Sequence, residues 1–296
     1  MGAMETVHGA TSSTDHPILA PTARLGTTRL VVTDLRRSIA FYEVGLGLEH
    51  LGTGDGVARL GTPGDPALEL VEREDARRAG RHAGLFHVAL NYPSRLELAR
   101  VGKRLLSHGI EISGASDHGT HEAFYLRDPD GNGLELAADR PREQWPDPQD
   151  EYRNGPQPLD VRNLMALVQD DDVVARVDGV VVGHLHLHVG DVDQALAFYR
   201  DLLGFDLMAR MSTAAFVSLG GYHHHLGMNV WQGQDAPPMP DGVVGMAWWT
   251  VRVPARHYLT ELAERLDADG TPYSLVDDTL DLRDPWNNRI RIVVDA

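Results

Sequence analysis

The chain of 296 residues contains no cysteine. That rules out disulfides and thiolate metal sites and leaves His, Asp and Glu to hold any metal. Basic residues are scarce: 27 Lys+Arg face 43 Asp+Glu, a formal charge of −16, which repels nucleic acid phosphates and anionic lipid surfaces. No nucleic acid partner is expected. Long apolar runs are missing as well, none coming near the roughly 18 residues that a membrane span needs, so no membrane partner is expected either. The opening "MGAMETVHGATSSTDHPILA" has neither the basic start nor the apolar core of a secretory signal, which makes a cytoplasmic location the default.

What the chain does have is histidine, 15 of them, and internal repetition. "DLRRSIAFYEVGLGLE" from Asp34 and "DVDQALAFYRDLLGFD" from Asp191 share an AFY triplet, with a glycine five residues past each tyrosine, Gly47 and Gly204. "PSRLELARVGKRLLSHG" from Pro93 and "PARHYLTELAERLDADG" from Pro254 both run sixteen residues from proline to glycine, and "YLRDPDGNGLEL" matches "DLRDPWNNRIRI". Repeats of this kind are read before local structure because they dictate the architecture.

Each of these segments reads as a helix, with apolar residues three and four apart, Pro93 and Pro254 suited to a first turn, and Gly109 and Gly270 to C-terminal caps. A β-branched, alternating strand precedes each one ("TTRLVV", "FHVALNY", "HLHLHV", "WWTVRV"), and several short strands broken by Gly and Asp follow. The chain is therefore expected to be α+β, with four βαβββ modules near residues 25–75, 84–140, 182–233 and 244–296. The domain layout that follows is a disordered tail over 1–22, an N-terminal domain over 23–140, a linker with a short helix over 141–179, and a C-terminal domain over 180–296. The linker is rich in Pro, Asp and Gln apart from one apolar run, "VRNLMALV".

Four such modules in two pairs resemble the vicinal oxygen chelate superfamily, in which paired modules curl into mixed, cup-shaped sheets around a metal. Within it, the two-domain catechol 2,3-dioxygenase-like extradiol enzymes look closest. The resemblance covers nearly the whole chain from about residue 25. It implies a ferrous ion, with Mn(II) as an alternative, held by two His and one Glu. It also implies His and Tyr as acid-base helpers, and a small aromatic diol and O2 as substrates.

In this superfamily the ligands come from the first and last strands of each module. The first-strand positions here read Thr27, His87, His184 and Trp248 in chain order; the last-strand positions read Glu69, Glu135, Gly227 and Arg291. A guanidinium beside an indole repels a cation, so modules one and four are expected to be metal-free. His87, Glu135 and His184 form the two-imidazole, one-carboxylate set that leaves open positions on Fe(II). For them to meet, module two must pair with module three across the linker. The alternation of His184, His186 and His188 with Leu185, Leu187 and Val189 puts the imidazoles on one face, with His186 lining the cup and His188 near solvent.

Tyr125 precedes Glu135 by ten residues through the turn-forming "LRDPDGNG"; symmetric pairing sets the two opposite each other on one face. By resemblance, Tyr125 and His118 contact substrate near the metal, with His121 a rival to His118. His224, in "HHHLGMN", falls where the family has its acid-base histidine. His223 and His225 flank it, facing the other way in an extended segment. Imidazole can take and return a proton near neutral pH. Cleavage of a hydroquinone is the neighbouring alternative. A glyoxalase-like isomerase on Zn or Ni would want a fourth ligand where Gly227 stands, and a metal-free binding protein would need no ligands at all. A homo-oligomer is compatible with all of these.

Overall fold

In the computed structural model, described for residues 19–78, 80–147, 155–169 and 176–295, four βαβββ modules follow one another. Module one holds β1 (Arg24–Val32), α1 (Leu35–Ala40), β2 (Glu49–Gly54), β3 (Val57–Thr62) and β4 (Asp65–Glu72). Module two holds β5 (Gly84–Asn91), α2 (Arg95–Ser107), β6 (Gly114–Asp117), β7 (His121–Arg127) and β8 (Gly133–Asp139). Between the halves lie β9 (Gln157–Pro158) and the short helix α3 (Val161–Met165). Module three contributes β10 (Val181–His188), α4 (Val192–Leu196), β11 (Asp206–Arg210), β12 (Ala214–Ser218) and β13 (Leu226–Asn229). Module four contributes β14 (Gly245–Val253), α5 (His257–Asp269), β15 (Tyr273–Val276), β16 (Thr279–Arg283) and β17 (Arg289–Val294).

Local chemistry explains the helices. Asp34 and Asp191 cap α1 and α4, accepting from the backbone N–H of Arg37 and Gln194. Both helices then widen into a π-helical turn across the AFY segment, Phe41–Gly45 and Ala197–Leu202. The prolines sit earlier than expected: Ser94 is the N-cap of α2 and Arg256 that of α5, so Pro93 and Pro254 precede the helices instead of opening them. Gly270 caps α5 at φ +80°, and Gly109 follows the His108 cap of α2 at φ +65°, the left-handed region that only glycine enters freely.

The strands form two mixed sheets, in the orders β15-β16-β17-β14-β1-β4-β3-β2 and β11-β12-β13-β10-β5-β8-β7-β6-β9. Modules one and four make the first, modules two and three the second. In each, two first strands run antiparallel at the centre, β1 with β14 and β5 with β10, and each is flanked by the parallel last strand of its own module. The module two to module three pairing required by the expected ligand set is present.

The sheets join the halves, whereas the repeated motifs tie modules within a half. Tyr42 of module one donates to Asp128 Oδ2 of module two at 3.1 Å, and Tyr199 of module three donates to Asp284 Oδ2 of module four at 2.8 Å. All four residues are buried. Each aspartate also accepts from the backbone and side-chain N–H groups of an asparagine, Asn132 or Asn288, in its own turn. The AFY and RDP repeats are thus two halves of one clasp. Of the segment expected as a tail, residues 1–18 lie outside the described residues, and Leu19 and Ala20 are buried against the core.

Candidate metal centre and active site

The four first-strand and last-strand positions compared in the sequence are equivalent in three dimensions. Glu135, Glu69, Gly227 and Arg291 pair in parallel with Ala89, Arg29, His186 and Thr250, and His87, Thr27, His184 and Trp248 each lie two residues before those partners. In the sheet of modules one and four these positions are engaged by neighbouring side chains and backbone. Glu69 accepts from Arg29 (2.5 Å) and Arg59 (3.2 Å), Thr27 donates to Pro66 O, and Trp248 lies between the guanidiniums of Arg29 and Arg291, 4.8 and 4.4 Å from its ring centre.

The other sheet concentrates imidazoles around one carboxylate. Tyr125 and Glu135 pair directly across β7 and β8, as the turn spacing predicts. Glu135 is 1% exposed, and its Oε2 lies 3.0 Å from His87 Nε2 and 3.1 Å from His184 Nε2. Donor atoms of these three all fall within 4.8 Å of one another. Burial opposes ionisation of Glu135, but His184, His121 and His87 outweigh it and hold the carboxyl well below its usual range. Burial lowers His184, with Glu135 opposing. Ligands about 2.1 Å from an octahedral ion and at right angles are about 3.0 Å apart, so the spacing found here fits a cation of that kind.

Around the set stand the other candidates. His118 Nε2 is 2.7 Å from the Tyr125 hydroxyl, and burial, reinforced by Glu135, pushes that phenol far above its usual range, so it is a neutral hydrogen-bonding group. His118 is lowered to about 3 by burial and by His121, on whose ring it stacks at 4.4 Å. His121 contacts the carboxylate itself, with Nε2 3.0 Å from Glu135 Oε1. Sequence reasoning held His121 only as a rival to His118, yet its even spacing from Tyr125 already put both on one face of β7.

The "HHH" run departs from expectation. Its segment bends before β13 begins, so His223 turns inward with His224 instead of facing away: its ring stacks on His121 at 4.7 Å and meets His184 at 5.8 Å. His224 lies 4.3 Å from the His184 ring, and His223 Nδ1 and His224 Nδ1 are 3.0 Å apart. On the far side His223 Nε2 is 3.5 Å from Asp139 Oδ1, while Asp139 Oδ2 accepts from Tyr222 and Asn91. Burial lowers His223 to about 3 despite Asp139, and lowers His224 well below its usual value. His225 does face away, its Nδ1 accepting from the backbone N–H of Leu219.

His186 and His188 are both buried, His188 being 9% exposed and bonded to Asn229 at 2.8 Å. His186 stands with Phe86, Phe216 and Trp231, ring centres 5.3 to 5.7 Å from its own. Gly227 makes room for it: a Cβ there would lie 3.0 Å from the His186 ring.

Residues 24–136 and 181–292 match the Glyoxalase/Bleomycin resistance protein/Dioxygenase superfamily, and the chain belongs to it. Over 267 residues it is 37% identical to the catechol-2,3-dioxygenase of Bacillus subtilis (strain 168), covering 88% of this chain and 93% of that one. A shorter likeness, 37% over 101 residues, covers 34% of this chain and 47% of biphenyl-2,3-diol 1,2-dioxygenase 2 from Rhodococcus globerulus. Glyoxalase I from Zea mays shares the fold at a TM-score of 0.58 and 17% identity, with 92% of each chain covered. The likeness to the Bacillus protein, running nearly end to end, makes this chain an enzyme of the extradiol dioxygenase type.

Proposed function

We propose that the enzyme opens the ring of a catechol-type aromatic diol with O2, using Fe(II) held by His87, Glu135 and His184. The observation that carries this reading is the meeting of Glu135 Oε2 with His87 Nε2 and His184 Nε2 at 3.0 and 3.1 Å, across two modules. A ferrous ion supplies Lewis acidity toward the diol and the redox capacity that dioxygen needs. The isomerase alternative is disfavoured because its fourth ligand position is Gly227, whose space the His186 ring fills.

The remaining roles belong to side chains. Asp139 beside His223 Nε2 favours the proton on that nitrogen, which leaves His223 Nδ1 to accept from His224 Nδ1–H. His224 then carries its lone pair on Nε2, ready to take a hydroxyl proton from the diol. Burial makes its imidazolium costly, so the proton is handed on to an oxygen of the opening ring instead of being retained. Tyr125 and His118 form a hydrogen-bonded pair that orients the diol. Phe86, Phe216 and Trp231, which pack around the His186 ring, offer the apolar aromatic surface against which a flat ring would lie.

Reconstitution without air tests the reading: Fe(II) is added, then catechol, then oxygen. One oxygen consumed per catechol with a yellow ring-opened product is expected; Mn(II) in a parallel sample decides the metal. Iron bound with no diphenol turned over would overturn it.

A further inference from the structure

The two oxygens of Glu135 are committed to different partners. Oε2 faces His87 and His184, whereas Oε1 lies 3.0 Å from His121 Nε2, and the Tyr125 side chain also hydrogen-bonds this carboxylate. His121 is 1% exposed, and its other nitrogen, Nδ1, is 2.9 Å from the Thr120 hydroxyl. A threonine hydroxyl can donate to Nδ1; the opposite tautomer would set a lone pair of Nε2 against a carboxylate oxygen. The pair of contacts therefore places the proton on Nε2, pointing at Oε1. The ring is also clamped between two others, stacked on His118 at 4.4 Å and on His223 at 4.7 Å. It stands outside the set of His87, Glu135 and His184, although it forms two further sets of equally close donor atoms, one with His118 and Glu135 and one with Asp139 and His223.

We infer that His121 is a positioning residue that ties back Oε1 of Glu135, so that the carboxylate offers a cation Oε2 alone. The inference rests on the metal-centre reading and adds its denticity. The consequence is chemical: three protein donors on a six-coordinate ion leave three positions, enough for both diol oxygens and dioxygen. A carboxylate binding through both oxygens would take a fourth and leave two. Thr120 acts by holding the tautomer of His121, and the arrangement is the outer-shell control that sets ligand orientation in metal sites.

Equilibrium binding of Co(II), without substrate or oxygen, tests this through affinity by chelator competition and the visible spectrum of the bound ion. His121→Phe keeps the stacked ring and loses the N–H; it is expected to weaken binding about 10- to 100-fold and to shift the spectrum toward higher coordination. His121→Gln, whose amide can donate to Oε1, is expected to recover most of the affinity, and Thr120→Val to lose several-fold. Wild-type affinity and spectrum in both His121→Phe and Thr120→Val would overturn the inference. So would a His121→Gln protein as defective as His87→Ala, which would make His121 a ligand. If His87→Ala binds Co(II) like the wild type, the metal-centre reading itself fails, a result separable from silence at His121 alone.

Discussion

At the scale of single residues the centre depends as much on what is small as on what coordinates. Gly227 occupies the position that Glu135 holds in the neighbouring module, and the His186 ring lies over it. Gly227→Ala would put a methyl at 3.0 Å from that ring, tighter than ordinary contact, and His186 is boxed by Phe86, Phe216 and Trp231. The expected result is overpacking worth about 1 to 3 kcal/mol in urea denaturation, together with reduced kcat as His186 is pushed on the strand that carries His184. Retained stability and turnover would mean that the His186 ring has somewhere else to go. Gly133 obeys the same logic by backbone alone, since a Cβ there would collide with Phe86 O at 1.9 Å.

Elements are locked to each other by the tyrosine clasps. Tyr199 is fully buried, and its hydroxyl reaches Asp284, whose carboxyl is raised by burial even though Asn288 and the backbone also donate to it. Tyr199→Phe removes one donor from a buried acceptor and is expected to cost about 1 to 3 kcal/mol, read as a lower denaturation midpoint with an unchanged m-value. Metal affinity should be unaffected, because the clasp joins modules three and four while the ligands come from two and three. The repeated AFY and RDP motifs announce the modules in the sequence, but nothing local says that they touch; that contact spans 85 residues. The same limit applies to the bends between Gly221 and His225, which turned His223 inward against the extended expectation.

For the whole molecule, the buried histidines make stability a function of pH. His225 is held at about 4 by burial, and its Nδ1 already accepts from Leu219 N–H, so the folded state requires the neutral ring; burial also holds His223 at about 3. Both folded values lie below the unfolded value of about 6.5. The stability they contribute is therefore complete above that pH and is lost as pH falls, because the unfolded chain then binds protons that the folded one refuses. Chemical denaturation of metal-free protein should show constant stability from pH 8 to 7 and a fall below 6.5 approaching about 1.4 kcal/mol per pH unit for each such histidine. A flat profile from pH 7 to 5.5 would show that these rings accept protons where they stand. No helix among the described residues is long and apolar enough to cross a membrane.

Much of this protein follows from sequence periodicity alone: four modules, their strand and helix content, and the facing of Tyr125 and Glu135 across a tight turn; which strand positions to compare for ligands came from the family resemblance. Those properties are short-range, set by capping, alternation and turn chemistry within a few tens of residues. Tertiary structure decided which first strands meet, one with four and two with three, because edge-to-edge pairing of similar strands leaves no local trace. It also decided that His121 reaches Glu135 Oε1, that Asp139 stands behind His223, and that Gly227 is a space for His186. Each of these depends on side chains that converge only after the two central strands of different halves have paired.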